Sequence, residues 1–296
     1  MEQELLIAIA TGLGGMLGWG FADFFAKKTI DKVGSIISLV WAHLFGTSIF
    51  VIIVILQFIV FGKLISIPND PIVWAGLLFF GTLQMLVYWL VYEGFGKGQL
   101  AILNPVFASF TGLVAFISIV VLGEAAGISR ILALFIIFAG VILISVDLNG
   151  LRSKNFNFVP GLKEVGAAAI LAAIWTLLWD KFVGSQDGLA YALFMYAFMT
   201  LAAFVVSRLL KVRLSGVKSD LWKLLVLIGL GETIAYLAIS LGYSATSLTS
   251  VIALISGAFS LPTIILARIF LKEKVTFVQT IGSLIIIAGI VFLSIH

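Results

Sequence analysis

Glu232 is followed one helical turn later by Tyr236, and Gln84 in the first half of the chain is followed at the same spacing by Tyr88. Residues four apart share one face of a helix, so each pair would present a carboxyl or amide beside a phenol. That combination suits proton exchange or polar recognition of a small solute. Glu232 stands near the middle of an apolar run covering residues 221–243, long enough to cross a bilayer as one helix. A carboxylate at the centre of a membrane costs about 2.5–3.5 kcal/mol on insertion scales, so it is rarely idle. A carboxyl held there exchanges its proton as its surroundings change, so a substrate and a proton would compete for one site as access alternates. The structural alternative is a protonated Glu232 bonded to Tyr or Gln, tying helices together. Gln84 and Glu232 are expected to face each other near mid-membrane.

Other polar residues within apolar runs join this group. His43 lies about a third of the way along its run, where a lone histidine is more often a packing residue than a proton relay. Asn104 precedes Pro105, which removes a backbone hydrogen bond and leaves a place for the amide to act. Trp19 and Trp175 fall deep in their runs and are candidates for a cavity wall, as are Trp41, Trp89 and Trp179. Trp74 and Trp222 each start a run and read as an interfacial belt. Asp23 and Asp180 stand near run ends beside Lys27, Lys28 and Lys181, which predicts interfacial ion pairs. Glu93, Glu124 and Glu273 read as capping residues or as partners of Arg130 and Lys272.

The elements that must position these residues follow from composition. The 296 residues are 62% hydrophobic and 11% charged, far too apolar for the surface of a water-soluble domain. Ten spans are predicted, at 5–25, 34–61, 71–95, 99–122, 128–146, 161–182, 189–210, 221–243, 247–271 and 275–295. Short connections make neighbours antiparallel. The longest, residues 147–160, carries Asn149, Gly150, Arg152, Lys154 and Pro160, a linker composition at the middle of the chain. The net charge of +4 sits in loops and points to membrane orientation, with no nucleic-acid partner implied. Cysteine is absent, so thiol chemistry is excluded. The first run lacks a basic leader and is expected to stay as a helix.

A central linker invites a search for a repeat. A shift of 148 lays Trp74 on Trp222, Gly81 on Gly229, Gln84 on Glu232, Tyr88 on Tyr236 and Gly94 on Gly242. A shift of 149 lays Ala139-Gly140 on Ala288-Gly289 and Ser145 on Ser294. One indel within the fourth or ninth span reconciles the two. Five spans per copy is odd, so the copies would insert upside down relative to each other, as in secondary transporters with a site at the repeat interface. Of the 18 Lys and Arg, fifteen fall in odd-numbered connections and three in even ones, which puts odd connections in the cytoplasm and both termini outside. Ala10, Gly14, Gly18 and Ala22 form a smooth stripe for close helix approach. Pro105 and Pro262 are expected to bend spans four and nine.

Leu103-Asn-Pro-Val-Phe107, Leu122-Gly-Glu124 and Ala139-Gly-Val-Ile-Leu-Ile144 resemble the EamA-type signature of the drug/metabolite transporter superfamily. Leu271-Lys-Glu273 and Ala288-Gly-Ile-Val-Phe292 repeat it in the second half, with Gly242-Tyr-Ser-Ala-Thr-Ser247 ahead of them and Trp19-Gly20 in the first span. The resemblance covers essentially the whole chain. It implies a secondary transporter, often an exporter of amino acids, metabolites or drugs, with a cavity between two halves. The sequence departs from that pattern where Ser256-Gly-Ala258 stands in place of the second copy's proline, and in its charge-based topology, since many members read with a cytoplasmic N-terminus.

The expectation is therefore an all-α polytopic membrane protein of ten helices, built as repeats 1–150 and 151–296. It would move a small metabolite across the cytoplasmic membrane, with protons as the coupling ion, lipid as surroundings, and a monomer or homodimer as the working unit. Its site candidates are Glu232, Gln84, Tyr236, Tyr88, Trp19, Trp175, His43 and Asn104. A flippase for lipid-linked substrates, an intramembrane enzyme and a non-transporting membrane subunit are the rivals. Enzyme signals are poor: no metal spacing, no nucleophile elbow, and a glycine-rich stretch 94–98 without phosphate-loop spacing, so no cofactor is implied.

Overall fold

The computed structural model describes residues 2–145, 160–184, 186–271 and 276–295, and the described residues are helical with short connections. The central linker at 146–159, with Asn149, Gly150, Arg152 and Lys154, lies outside them, as do Lys272, Glu273 and Lys274. The helices are α1 (Glu2–Val33), α2 (Ser35–Phe61), α3 (Pro71–Lys97), α4 (Leu100–Ala108), α5 (Phe110–Phe116) and α6 (Ile128–Ser145). The second half gives α7 (Leu162–Val183), α8 (Gly188–Leu209), α9 (Ser219–Ala245), α10 (Thr249–Gly257), α11 (Ser260–Leu266) and α12 (Phe277–Ile295). Eight helical stretches are long and apolar enough to cross a membrane, counting α4 with α5 and α10 with α11 as one each; two shorter apolar helices, Ile128–Gly140 and Thr280–Phe292, accompany them.

Large apolar side chains cover the outside: Phe61 is 77% exposed, Ile59 69% and Phe135 69%. The interior instead collects aromatic and polar groups, the arrangement favoured when the surrounding solvent is hydrocarbon. Starts and turns follow local chemistry. Asp70 caps α3 by accepting from the Ile72 backbone N–H, with Pro71 in the first turn. Asp187 caps α8 through the Leu189 and Ala190 N–H groups.

The fourth and ninth spans break as expected, but proline is not the common cause. One break falls at Ser109, four residues after Pro105; the other falls at Ala258-Phe259, four residues before Pro262. Ser109 and Ala258 are equivalent under the 149-residue shift, while the prolines are not. The first break is held by hydroxyls, Ser109 Oγ donating to the Val106 carbonyl at 2.7 Å and Thr111 Oγ1 to the Ala108 carbonyl at 2.9 Å. Each break leads through a short α-helix into one turn of π-helix, Ile117–Val121 and Ala267–Leu271.

Contacts exchange between the halves. α3 packs on α7 and α8, while α9 packs on α1 and α2. A Cβ at Gly81 of α3 would stand 2.6 Å from the Met195 carbonyl oxygen of α8, and one at Gly229 of α9 would stand 2.6 Å from the Ala42 carbonyl oxygen of α2. α6 lies on α12, where a Cβ at Gly140 would meet Ile286 at 2.7 Å and one at Gly289 would meet Ile137 at 2.7 Å. On α1 the small stripe works for three of its four residues. Gly14 meets Ala238, Gly18 meets the Gly231 carbonyl, and Ala22 is buried beside Gly231, while Ala10 is exposed.

Candidate functional site

Glu232 is the fourteenth residue of the 27 in α9, so about 20 Å of helix lies on either side of it at 1.5 Å per residue. Its side chain is completely buried. Oε1 accepts from the Tyr92 hydroxyl at 3.0 Å, and Oε2 accepts from the Tyr196 hydroxyl at 2.5 Å. His43 Nε2 stands 3.1 Å from the same Oε2, without the alignment of a formed hydrogen bond. Its other nitrogen, Nδ1, lies 2.6 Å from the Leu39 carbonyl oxygen. A carbonyl only accepts, so Nδ1 carries hydrogen. Nε2 and Oε2 would then oppose two lone pairs unless one proton lies between them. His43 thus turns one ring nitrogen to the backbone and the other to the Glu232 carboxyl, while two phenols hold that carboxyl in place.

Four helices bring these groups together. His43 comes from α2, Tyr92 from α3, Tyr196 from α8 and Glu232 from α9. Thr200 Oγ1 donates to the His43 carbonyl at 3.0 Å and Thr233 Oγ1 to the Gly46 carbonyl at 3.1 Å, which fixes α8 and α9 against α2. The His43 ring stacks on Tyr196, with centroids 5.2 Å apart, and meets Tyr88 edge-on at 5.5 Å. His43, a site candidate for which packing was the commoner expectation, stands beside the central carboxyl.

Gln84 and Glu232, expected from the sequence to face each other, are both buried, and no hydrogen bond joins them among the described residues. Gln84 Nε2 donates instead to the Tyr236 hydroxyl at 2.6 Å, one turn along from Glu232. Trp19, Tyr196 and Trp175 touch the Tyr236 ring edge-on, at 5.7, 5.4 and 6.0 Å, and Tyr88 lies against it at 6.2 Å. Tyr236 is the hub of an aromatic layer next to the carboxyl. A slot of about 10 Å³ opens beside it, lined by Trp19, Gln84, Tyr88, Phe107, Trp175 and Phe259 among others. That is room for about one water. Gln84 Oε1 and Trp19 Nε1 are buried there without a partner. Trp175 is committed, its indole N–H donating to the Phe80 carbonyl at 3.0 Å.

Several sequence expectations are corrected. Asp23 forms no ion pair with Lys27 or Lys28: α1 continues to Val33, which draws Asp23 inside, where it is 3% exposed and accepts from Asn104 Nδ2 at 2.7 Å. Trp41 stands at an end of the bundle, bonded to the Leu214 carbonyl and edge-on to Trp222. Asp180 does meet Lys181, at 3.5 Å. Glu124 follows the capping alternative, accepting from the Ser250 N–H and hydroxyl at the start of α10, while Arg130 donates to the Ala125 carbonyl. Burial pushes the Glu124 carboxyl up, against the Ser250 bonds that favour its charged form. Tyr92, Tyr196 and Asp23 are missing from the sequence candidates. Tyr92 had a signal, lying eight residues after Gln84 and four after Tyr88 on one face; Tyr196 has no repeat equivalent and gave none.

The two ends of the bundle differ. A cavity of about 770 Å³ opens where the even-numbered connections lie, lined by Glu4, Glu124, Arg130, Lys181, Ser247 and Thr249. At the opposite end Lys27 Nζ bonds Asp31 at 2.8 Å and the Phe95 carbonyl oxygen at 2.7 Å. Lys97 bonds Glu164 at 2.8 Å beside it, and Ser35 bonds Glu93. Backbones press together there as well, since a Cβ at Gly161 would stand 2.4 Å from the Gly94 carbonyl oxygen.

No curated protein matches the chain in sequence. One crystal structure superposes on 96% of this chain and 97% of its own at 15% identity, with a TM-score of 0.73, a likeness of fold alone. The profile of the EamA-like transporter family matches twice, over residues 6–146 and 165–295, one match for each half of the chain. Together these matches take in nearly all of its length, and the chain belongs to the EamA-like transporter family.

Proposed function

We propose that the protein is a secondary transporter that moves a small metabolite, an amino acid or a drug-like compound, across the cytoplasmic membrane by alternating access. Transport is coupled to protons at the His43–Glu232 pair. The observation that carries this reading is the buried cluster of His43, Tyr92, Tyr196 and Glu232 midway along the bundle, where a histidine faces a carboxyl at 3.1 Å far from bulk water. A structural tie between helices needs only a neutral bond; a histidine facing a carboxylate supplies a site that can load and unload a proton.

The architecture that suits this is ten membrane helices in two inverted repeats, residues 1–150 and 151–296. The reciprocal contacts Gly140–Ile286 and Gly289–Ile137 support it. They run in opposite directions along α6 and α12, as a two-fold axis perpendicular to both helices requires. The charge bias supports an orientation with the odd connections in the cytoplasm. The 770 Å³ cavity then faces outward, while the Lys27 contacts close the inner end and the central slot is occluded. Purified protein in proteoliposomes, assayed with and without an imposed pH gradient, tests the reading. Glu232→Gln should abolish pH-driven flux, and a variant that transports with unchanged pH dependence sinks the coupling.

A further inference from the structure

The connection from α8 to α9 closes on itself and holds positive charge in one place. α8 ends in a Schellman turn, in which the Val212 N–H donates to the Ser207 carbonyl at 2.9 Å and the Lys211 N–H to the Arg208 carbonyl at 3.1 Å. The residue that closes such a turn is left-handed and usually glycine. Here it is Lys211 at φ 54°, the one non-glycine residue with positive φ among the described residues. The chain then folds back, and Trp41 Nε1 pins it by donating to the Leu214 carbonyl at 3.0 Å. Between the turn and the returning chain lies a pocket of about 460 Å³, lined by Arg208, Lys211, Arg213, Ser207 and Ser215 among others.

Three cations converge there, and no acidic side chain lines the pocket among the described residues. Other lysines in the odd-numbered connections are met: Lys27 by Asp31, Lys32 by Asp220 and Lys97 by Glu164. Arg208, Lys211 and Arg213 have no such ion pair among the described residues. The negative end of the α8 dipole answers about half a charge of the three, and its Val206, Ser207 and Arg208 carbonyls already accept from backbone N–H groups. Guanidinium and ammonium groups together suit an anion with several oxygens, a phosphate above all. What adjoins the pocket decides which phosphate. Leu201, Val205 and Leu209 recur every four residues along α8, all exposed, and form an apolar stripe that leads up to Arg208. Trp41 and Trp222, with ring centroids 4.9 Å apart, mark the same end as the level of the membrane interface. A soluble phosphate would use the cations and leave the stripe idle, whereas a phospholipid uses both. We infer that this pocket binds the phosphate headgroup of an anionic phospholipid, with an acyl chain lying along Leu209, Val205 and Leu201. The charge bias of the connections makes it a lipid of the inner leaflet. The site uses neither Glu232 nor the central slot, so it stands apart from the transport reading.

Lipid binding tests this directly. Protein in an uncharged detergent, stripped of lipid, is titrated with dioleoyl phosphatidylglycerol, dioleoyl phosphatidylcholine and glycerol 3-phosphate, and adducts are counted by native mass spectrometry. Phosphatidylglycerol should form a saturable adduct about tenfold tighter or more than phosphatidylcholine, and glycerol 3-phosphate should not displace it. A basic side chain near an anionic surface contributes about fivefold in affinity, so Arg208→Gln/Lys211→Gln/Arg213→Gln should weaken the phosphatidylglycerol adduct on the order of a hundredfold. All three side chains are exposed, so the variant keeps its packed interior. The same charge removed elsewhere in the odd-numbered connections, by Lys28→Gln/Lys32→Gln/Arg268→Gln, should leave the adduct intact. Equal binding of phosphatidylcholine overturns the inference, as does a pocket variant that keeps the preference or a control variant that loses as much. Displacement by glycerol 3-phosphate overturns it too, since the pocket would then belong to a soluble anion.

Discussion

His43 Nε2 lies 3.1 Å from Glu232 Oε2 with both side chains fully shielded from solvent. Removing either partner alone strands the other. Glu232→Gln or His43→Gln should each destabilise the protein by about 3–5 kcal/mol, as for a broken buried pair, and the double variant should lose clearly less than the sum. Thermal unfolding of the four proteins in one detergent measures the coupling, and simple additivity would show that no proton is shared.

Tyr196→Phe removes one donor from the Glu232 carboxyl and leaves the ring stack on His43. A hydrogen bond to a charged group is worth about 1.5–3 kcal/mol, so this variant should be less stable by that amount and should shift the pH dependence of transport. Tyr236→Phe deprives Gln84 of its acceptor instead. It should lower apparent substrate affinity while leaving the pH profile in place. Identical pH profiles for Tyr196→Phe and the unaltered protein would contradict this division.

Gly18 of α1 and Gly231 of α9 touch backbone to backbone, and a Cβ at either would stand 2.4 and 2.6 Å from the opposing carbonyl oxygen. Gly18→Ala must push apart two helices that meet along much of their length, and overpacking of this kind costs about 1–3 kcal/mol or more. Gly166 of α7 has open space around it, so Gly166→Ala should be neutral or stabilising by about 0.5–1 kcal/mol. Yield of monodisperse protein and melting temperature check both.

Lys27 ties α1 to the end of α3 through the Phe95 and Gly98 carbonyls. Lys27→Ala should loosen the closed end and favour conformations open there. Since the chain has no cysteine, Leu100→Cys, at a fully buried position at the start of α4, gives a clean reporter. Its labelling by a thiol reagent should rise several-fold in the Lys27→Ala background, and equal labelling would mean that Lys27 is no latch.

The helical, membrane-spanning character and the two-copy layout were legible in the sequence, because both depend on patterns along the chain: apolar run length, loop charge and a repeat near 148 residues. Glu232 was legible for a related reason, since a carboxyl inside an apolar run is costly wherever the helix packs. Its partners were not. Tyr92, Tyr196 and His43 meet it only because α2, α3 and α8 converge on α9, and no spacing within one helix encodes which faces of four helices coincide. Asp23 shows the limit most clearly. Sequence placed it at a run end beside lysines, where an ion pair is the natural expectation, but α1 runs eight residues past the predicted end and carries Asp23 into the interior against Asn104. Local composition sets the cost of burying a charge; only the tertiary packing decides which groups are there to meet it.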